Sequence, residues 1–306
     1  AGLPEAPAAV VVEAFGCGLP DEWVAQMAQA PRPPLWIVLE YLSAESWIDS
    51  HHGLSSPHPR LPLPRYFFFP GFTAASGGLL REAGLLARRD AFDAGAQARF
   101  WRGLGFGVPA ALTLSLFAYA DAPLIELLQA IAADAQPAVL AIPEGVLLPA
   151  VRAFFGAPGA AAGQSLRKGA LEVRLLPFLP QAGYDELLWA CDLNFVRGED
   201  SFVRAQWAAR PLVWQPYRQE GGTHREKMAA FVERYRAGLE PAAAAALEGF
   251  WNDWNDHPSG RFSRSWPALR AHFGVLQAHA RRWAEELAGL GEMSARLVEF
   301  ARDRVK

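Results

Sequence analysis

Short apolar runs alternate with stretches of helical spacing along most of this chain. Strand-like runs cover 8–15, 35–42 and 65–69, and a helix is predicted over 20–29 between the first two. A Pro-rich loop follows at 57–64. The run from Phe69 to Gly78 then opens a segment predicted to become helical, and helix is predicted again near 90–103. Gly103–Pro109 reads as a break between domains. A second series follows it, with strands at 111–119, 138–142, 171–176, 192–196 and 211–215. Helices near 123–134, 146–155, 181–190, 201–209 and 224–237 alternate with these strands. That rhythm implies α/β domains, each with a parallel sheet covered by helices on both faces. The remainder, 241–303, is helical and rich in alanine, and its four tryptophans within 251–283 suit packing in the core and at a domain interface.

Two domains are therefore expected, 1–106 and 107–285, with a terminal helix at 286–306 packing back on the first. The first reads as incomplete. The chain passes from a few Ala and Pro residues, without an initiator methionine or signal sequence, straight into the buried-type strand Ala8–Phe15. Earlier strands and helices are expected to lie upstream of Ala1.

Composition narrows the class. At 306 residues there is room for two domains and a large core, and 51% apolar residues with a net charge of -3 argue against a disordered tail or a general nucleic-acid binder. The lysines are Lys168, Lys227 and Lys306, so arginine carries nearly all the positive charge. No G-x-x-x-x-G-K-[ST] loop occurs, and Gly103-Leu-Gly-Phe-Gly107 is not a G-x-G-x-x-G fingerprint. Cys17 and Cys191 are far apart and sit beside apolar runs, so both are expected to be buried, reduced thiols of a cytoplasmic protein. No apolar run reaches membrane-spanning length.

The most informative stretch is Asp192–Trp207: a short apolar strand, a turn begun by Gly198 carrying Glu199, Asp200 and Ser201, then an amphipathic helix. In an open α/β sheet, ligands bind where a strand's carboxyl end meets a helix start, whose N–H groups and partial positive charge suit a phosphate. Two carboxylates would repel that phosphate, so hydrogen bonding to sugar hydroxyls fits them better. The alternative is simple capping of the first turn by Asp200 or Ser201, although one cap needs only one acceptor. Arg197 and Arg204 stand close enough in sequence to pair with either carboxylate. Glu13 and the Glu40–Tyr41 pair lie near strand ends and face either a cleft or second-layer partners. Gly77–Gly78 is either a close approach to a ligand or a flexible turn. His51, His52 and His58 lie in a Ser/Pro/Gly-rich loop and do not make a metal site by spacing.

Five runs carry a specific likeness: Leu39–Trp47, Phe67–Thr73, Gly77–Glu82, Ser115–Tyr119 and Arg197–Trp207. In this order they resemble the bacterial protein-arginine rhamnosyltransferases of the EarP family. The resemblance implies a GT-B fold of two Rossmann-like domains. It also implies transfer of L-rhamnose from dTDP-β-L-rhamnose to an arginine of elongation factor P, with inversion and without a catalytic metal or other cofactor. Carried over by motif, Glu199 and Asp200 are the catalytic carboxylates, and Ser201 and Tyr119 contact the donor. In Leu176-Pro-Phe-Leu-Pro-Gln181, Phe178 and Gln181 are implied at the nucleotide base and thymidine portion. Without the resemblance, Tyr119 also reads as a core residue with a wet hydroxyl, and Gln181 as a surface residue opening a helix.

One family motif, approximately D-N-Y-G-D-x-G-V, does not occur in this chain. Its aspartates are implied to hold and activate the acceptor guanidinium, whose pKa above ~12 makes it a poor nucleophile. The chain by itself is therefore expected to bind donor without transferring it. Two other readings remain at this point: a GT-B enzyme using another nucleotide sugar and a small acceptor, or a non-catalytic nucleotide-sugar-binding protein.

Overall fold

The computed structural model describes residues 8–256 and 260–305. These divide into two compact units: the described residues up to Arg81 together with those from Glu286 onward, and Glu82–Glu285. In the first unit, β1 (Val10–Ala14), β2 (Leu35–Leu39), β3 (Ser55–Ser56) and β4 (Arg65–Phe68) form a sheet of order β1-β2-β4-β3. It is parallel except where β3 runs against β4. The second unit holds β5 (Leu112–Leu116), β6 (Ala138–Pro143), β7 (Ser165–Lys168), β8 (Leu171–Leu176), β9 (Leu193–Arg197) and β10 (Leu212–Gln215). Their order is β10-β9-β5-β6-β8-β7, with β7 the antiparallel strand.

The long strands form where the sequence offers unbroken Leu, Val, Ile and Phe, because both faces of a parallel sheet are covered. Leu114, Leu140, Val173 and Phe195 are fully buried. The two strands without an apolar run, β3 and β7, are short, polar and antiparallel at sheet edges. The chain steps outward from β5 through β6 to β8, then returns to lay β9 on the other side of β5. Strand order therefore reverses between β5 and β9. The carboxyl ends of those two strands are where such a sheet leaves a crevice for ligands.

The division between units falls at Arg81/Glu82 and not at Gly103–Pro109. The helix Ala94–Gly103 does end at that break, but its Trp101 is buried with Ala141, Leu176, Leu187 and Cys191. Residues 82–106 thus share the second unit's core. The segment after Gly78 reaches helix only at Leu85, behind a left-handed Gly84. Of the four tryptophans, Trp251, Trp254 and Trp266 are fully buried with Phe195, Phe231, Phe250 and Phe262, all within the second unit.

In the first unit the terminal helix Met293–Arg304 lays Phe300 against His52, Tyr66 and Phe68. His52 Nδ1 accepts the Phe69 N–H at 3.0 Å, so the ring is held neutral there. Burial depresses the His52 pKa from its ordinary 6.5, and the Arg296 and Arg304 guanidiniums push it the same way. The unfolded chain therefore takes up a proton first as pH falls. The stability from the neutral ring is complete above the ordinary value and is lost progressively below it. The melting temperature should fall between neutral pH and about pH 5.5. His52→Asn, which keeps an acceptor for Phe69, should flatten that dependence; an unchanged slope would remove His52 as its cause.

Candidate functional site

At the reversal point, Arg197 ends β9 with its guanidinium over the rings of Phe117 (4.3 Å) and Tyr119 (4.7 Å). Its side-chain hydrogen bond to the Ala118 carbonyl is long, 3.5 Å. Among the described residues it makes no ion pair. The next residue, Gly198, has φ +60°, and a Cβ there would stand 2.9 Å from the Tyr119 hydroxyl. Trp214 Nε1 donates to the Gly198 carbonyl at 2.6 Å. The buried Gln215 accepts the Tyr119 N–H at 2.8 Å and donates to Asp121 at 3.3 Å. Strand β10 thus braces both Tyr119 and Gly198 at the carboxyl ends of β5 and β9. Burial pushes the Tyr119 phenol up, partly offset by Arg197, so it is a neutral donor at physiological pH.

Gly198→Ala should therefore cost about 1–2 kcal/mol through the left-handed backbone and the crowded phenol. Melting measurements on Gly198→Ala with and without Tyr119→Phe check this. The double variant should recover part of the loss, and no recovery would mean that the phenol contact is not responsible.

Neither carboxylate caps the helix through its side chain, although Glu199 occupies the N-cap position. The helix Asp200–Trp207 starts with no side-chain cap hydrogen bond, and Asp200 is 76% exposed. Glu199 is half-buried beside it. Ser201 is buried instead of facing a ligand: its hydroxyl accepts from the Arg197 N–H and donates to the Arg197 carbonyl, which locks the turn. Below the turn lies a cluster the sequence did not reveal. The buried Arg204 donates to Asp185 at 2.7 Å and to Glu82, and its Nε stands 3.8 Å from Asp200. The Gln181 amide also faces that guanidinium, and the orientation assigned to it, oxygen inward, lets it accept from Nε and Nη2. Burial pushes the Asp185 carboxyl up against the pull of Arg204, while the Arg204 hydrogen bond holds Glu82 down despite partial burial. Phe178, 80% exposed, stands in the loop after β8 and before the helix Gln181–Ala190, outside the core.

The first-unit candidates have structural employment. Glu13 is buried and accepts from the Gly18 N–H at 2.9 Å and from Trp36 Nε1 at 3.0 Å. Glu40 binds β4 through its N–H, and the exposed Tyr41 stacks on Phe15. Gly77 is a packing requirement and not a hinge, since a Cβ there would meet the Phe68 ring at 2.3 Å. Cys191 is buried as expected, but Cys17 is exposed, because β1 ends at Ala14 and the chain turns out through Gly16. His51, His52 and His58 direct Nδ1 at Trp47, Phe69 and Arg60 backbone atoms respectively. Among the described residues no group of three or more His, Cys, Asp or Glu side chains is placed to hold a metal. No helix there is long and apolar enough to cross a membrane.

A family model described as Elongation-Factor P (EF-P) rhamnosyltransferase EarP matches residues 2–302. The chain belongs to the EarP family. It is 48% identical to the protein-arginine rhamnosyltransferase of Pseudomonas putida, over 99% of this chain and 80% of that protein. It is 47% identical to the one from Pseudomonas aeruginosa, over 99% and 81%. A solved structure concerning EarP-mediated arginine glycosylation of translation elongation factor EF-P superposes with a TM-score of 0.70 at 44% identity, covering 78% of this chain and 76% of that one. Membership in EarP makes the chain a glycosyltransferase and the two α/β units those of a GT-B fold. The strand–helix alternation and the five motifs had pointed the same way.

Proposed function

We propose that the rim formed by β5, β9 and β10 binds dTDP-β-L-rhamnose, and that this enzyme transfers L-rhamnose from it to an arginine side chain of elongation factor P. Arg197 carries the proposal: a guanidinium held over two rings, unpaired with any described carboxylate, at the sheet's reversal point. A diphosphate is the anion whose charge and forked oxygens suit it. The start of the helix Asp200–Trp207 and the neutral Tyr119 phenol add donors for the same group. Together these donors stabilise the charge of the leaving diphosphate, and the proposed reaction uses no metal. The exposed Phe178 ring offers the thymine a stacking face, and Gln181 offers its amide edge.

Asp200 and Glu199 then face the sugar. Asp200 accepts from rhamnose hydroxyls, and the Glu199 carboxylate stabilises the positive charge that develops as the anomeric C–O bond breaks. The diphosphate leaves with the bond's electron pair as the guanidinium nitrogen attacks the opposite face. The nitrogen's proton passes to an acceptor-side carboxylate, the part supplied in this family by the D-N-Y-G-D motif. Attack from the opposite face converts a β-linked donor into an α-linked product. Incubation of the protein carrying that motif with elongation factor P and dTDP-β-L-rhamnose, followed by intact mass and NMR of the modified arginine, tests this. One added rhamnose in α linkage is expected. A β linkage would overturn the inverting mechanism, and modification at a residue other than arginine would overturn the acceptor.

A further inference from the structure

We propose that Arg204 is the positioning residue of the donor site, a single buried guanidinium that sets both Gln181 and Asp200. The inference rests on the donor-site reading above and adds to it a residue with no contact to donor of its own. The geometry is specific. Arg204 is 6% exposed and sits one helical turn beyond Asp200, with its fork pointing beneath the crevice rim. One edge of the fork, Nε and Nη2, faces the side-chain amide of Gln181, the first residue of the helix that follows the Phe178 loop; two facing donors repel, so the amide is assigned with its oxygen toward Arg204. The same Nε stands 3.8 Å from the Asp200 carboxylate, on the helix that follows β9. Nη1 is fixed by Asp185 at 2.7 Å, and Nη2 also reaches Glu82. Two candidate ligand residues on separate segments therefore share one cation, which is anchored from below by two further carboxylates.

The arrangement has a consequence for both side chains. A glutamine at an exposed helix start samples several rotamers, and holding its oxygen on a buried guanidinium leaves its NH2 facing outward as a donor. A pyrimidine carbonyl is the matching acceptor. Asp200 stands beside Arg204 but too far for a hydrogen bond, which leaves its lone pairs available to sugar hydroxyls. A lysine in place of Arg204 would keep a positive charge but could not make the planar fork that meets Gln181, Asp185 and Glu82 together.

Calorimetric titrations with dTDP and dTDP-L-rhamnose, combined with melting curves, test the role. Arg204→Lys is expected to weaken both ligands by about 10-fold or more, in the range of a lost charge-assisted hydrogen bond. A double-substitution cycle separates positioning from general damage. In a Gln181→Ala background the Arg204→Lys loss for dTDP should shrink, because residues acting through one another are not additive. Full additivity would overturn the proposal, as would wild-type affinity in Arg204→Lys. If Arg204→Lys does not fold, Glu82→Gln provides the second arm. Glu82 is half exposed, so neutralising it is expected to leave the fold intact while weakening one anchor of the guanidinium from an ion pair to a neutral hydrogen bond. A severalfold loss of dTDP affinity supports the role and an unchanged affinity overturns it. Failure of the unsubstituted chain to bind either ligand would instead overturn the donor site itself, and the inference with it.

Discussion

Arg197→Ala is expected to weaken dTDP-L-rhamnose binding by about 10–100-fold, the worth of a charge-assisted hydrogen bond to phosphate. The fold should lose far less. Two cation–π contacts of about 0.5–1 kcal/mol each are given up, and the remaining hydrogen bond to Ala118 is long. The substitution therefore separates ligand binding from stability, which few positions at this rim allow. Gly198 and Ser201 shape the turn, and changing either alters the backbone as well as the site. Arg197→Lys should recover part of the affinity, since a point charge still attracts a diphosphate but cannot bind it through two parallel N–H groups. Titration of both variants, with melting curves as control, checks this. Unchanged affinity in Arg197→Ala would move the diphosphate elsewhere.

The largest stability effect is expected at Trp251. It is fully buried, lies nearly parallel to Phe231 at 5.7 Å, and donates Nε1 to the Leu212 carbonyl at 3.0 Å. It thereby ties the helix Pro241–Asn255 to the first residue of β10, the strand that braces Tyr119 and Gly198 from its other end. Trp251→Ala should cost about 3–5 kcal/mol from lost burial and the cavity left behind. For a unit of this size that corresponds to a drop on the order of 10 °C in melting temperature. Trp251→Phe keeps most of the volume and should recover more than half of the loss. A cost below about 1 kcal/mol for the alanine variant would mean that the site collapses freely and that the helix is not held through this contact.

The sequence disclosed what repeats and concealed what converges. β5, β6, β8, β9 and β10 were readable because both faces of each are buried, so their apolar runs are unbroken. Ser165–Lys168 was not readable, because an edge strand of Ser, Leu, Arg and Lys has no such signature. The glycines at 103–107 announced a real helix end, yet Trp101 on one side and Phe106 on the other enter the same core, so the break is not a domain boundary. In the site, Gly198 and the carboxylates following a strand stood out locally. The cation–π seat of Arg197 left only the faint signal of an arginine closing an apolar strand, with two aromatics two residues apart in Phe117 and Tyr119. Arg204 gave none. Its partners Glu82 and Asp185 are 122 and 19 residues away, and only folding brings them together. Gln181 was named by family resemblance alone, and nothing in its neighbourhood foretold that its oxygen would face Arg204. Cys17 misled because adjacency to an apolar run does not establish membership of it.

The measurement that bears most directly on the account is a calorimetric titration of this chain with dTDP-L-rhamnose, with UDP-glucose as the control. Saturable binding of dTDP-L-rhamnose, weakened in Arg197→Ala and absent for UDP-glucose, is the result expected of a donor site at the carboxyl ends of β5 and β9. Binding of UDP-glucose in preference to dTDP-L-rhamnose, or equal binding by Arg197→Ala and the unsubstituted chain, would contradict it.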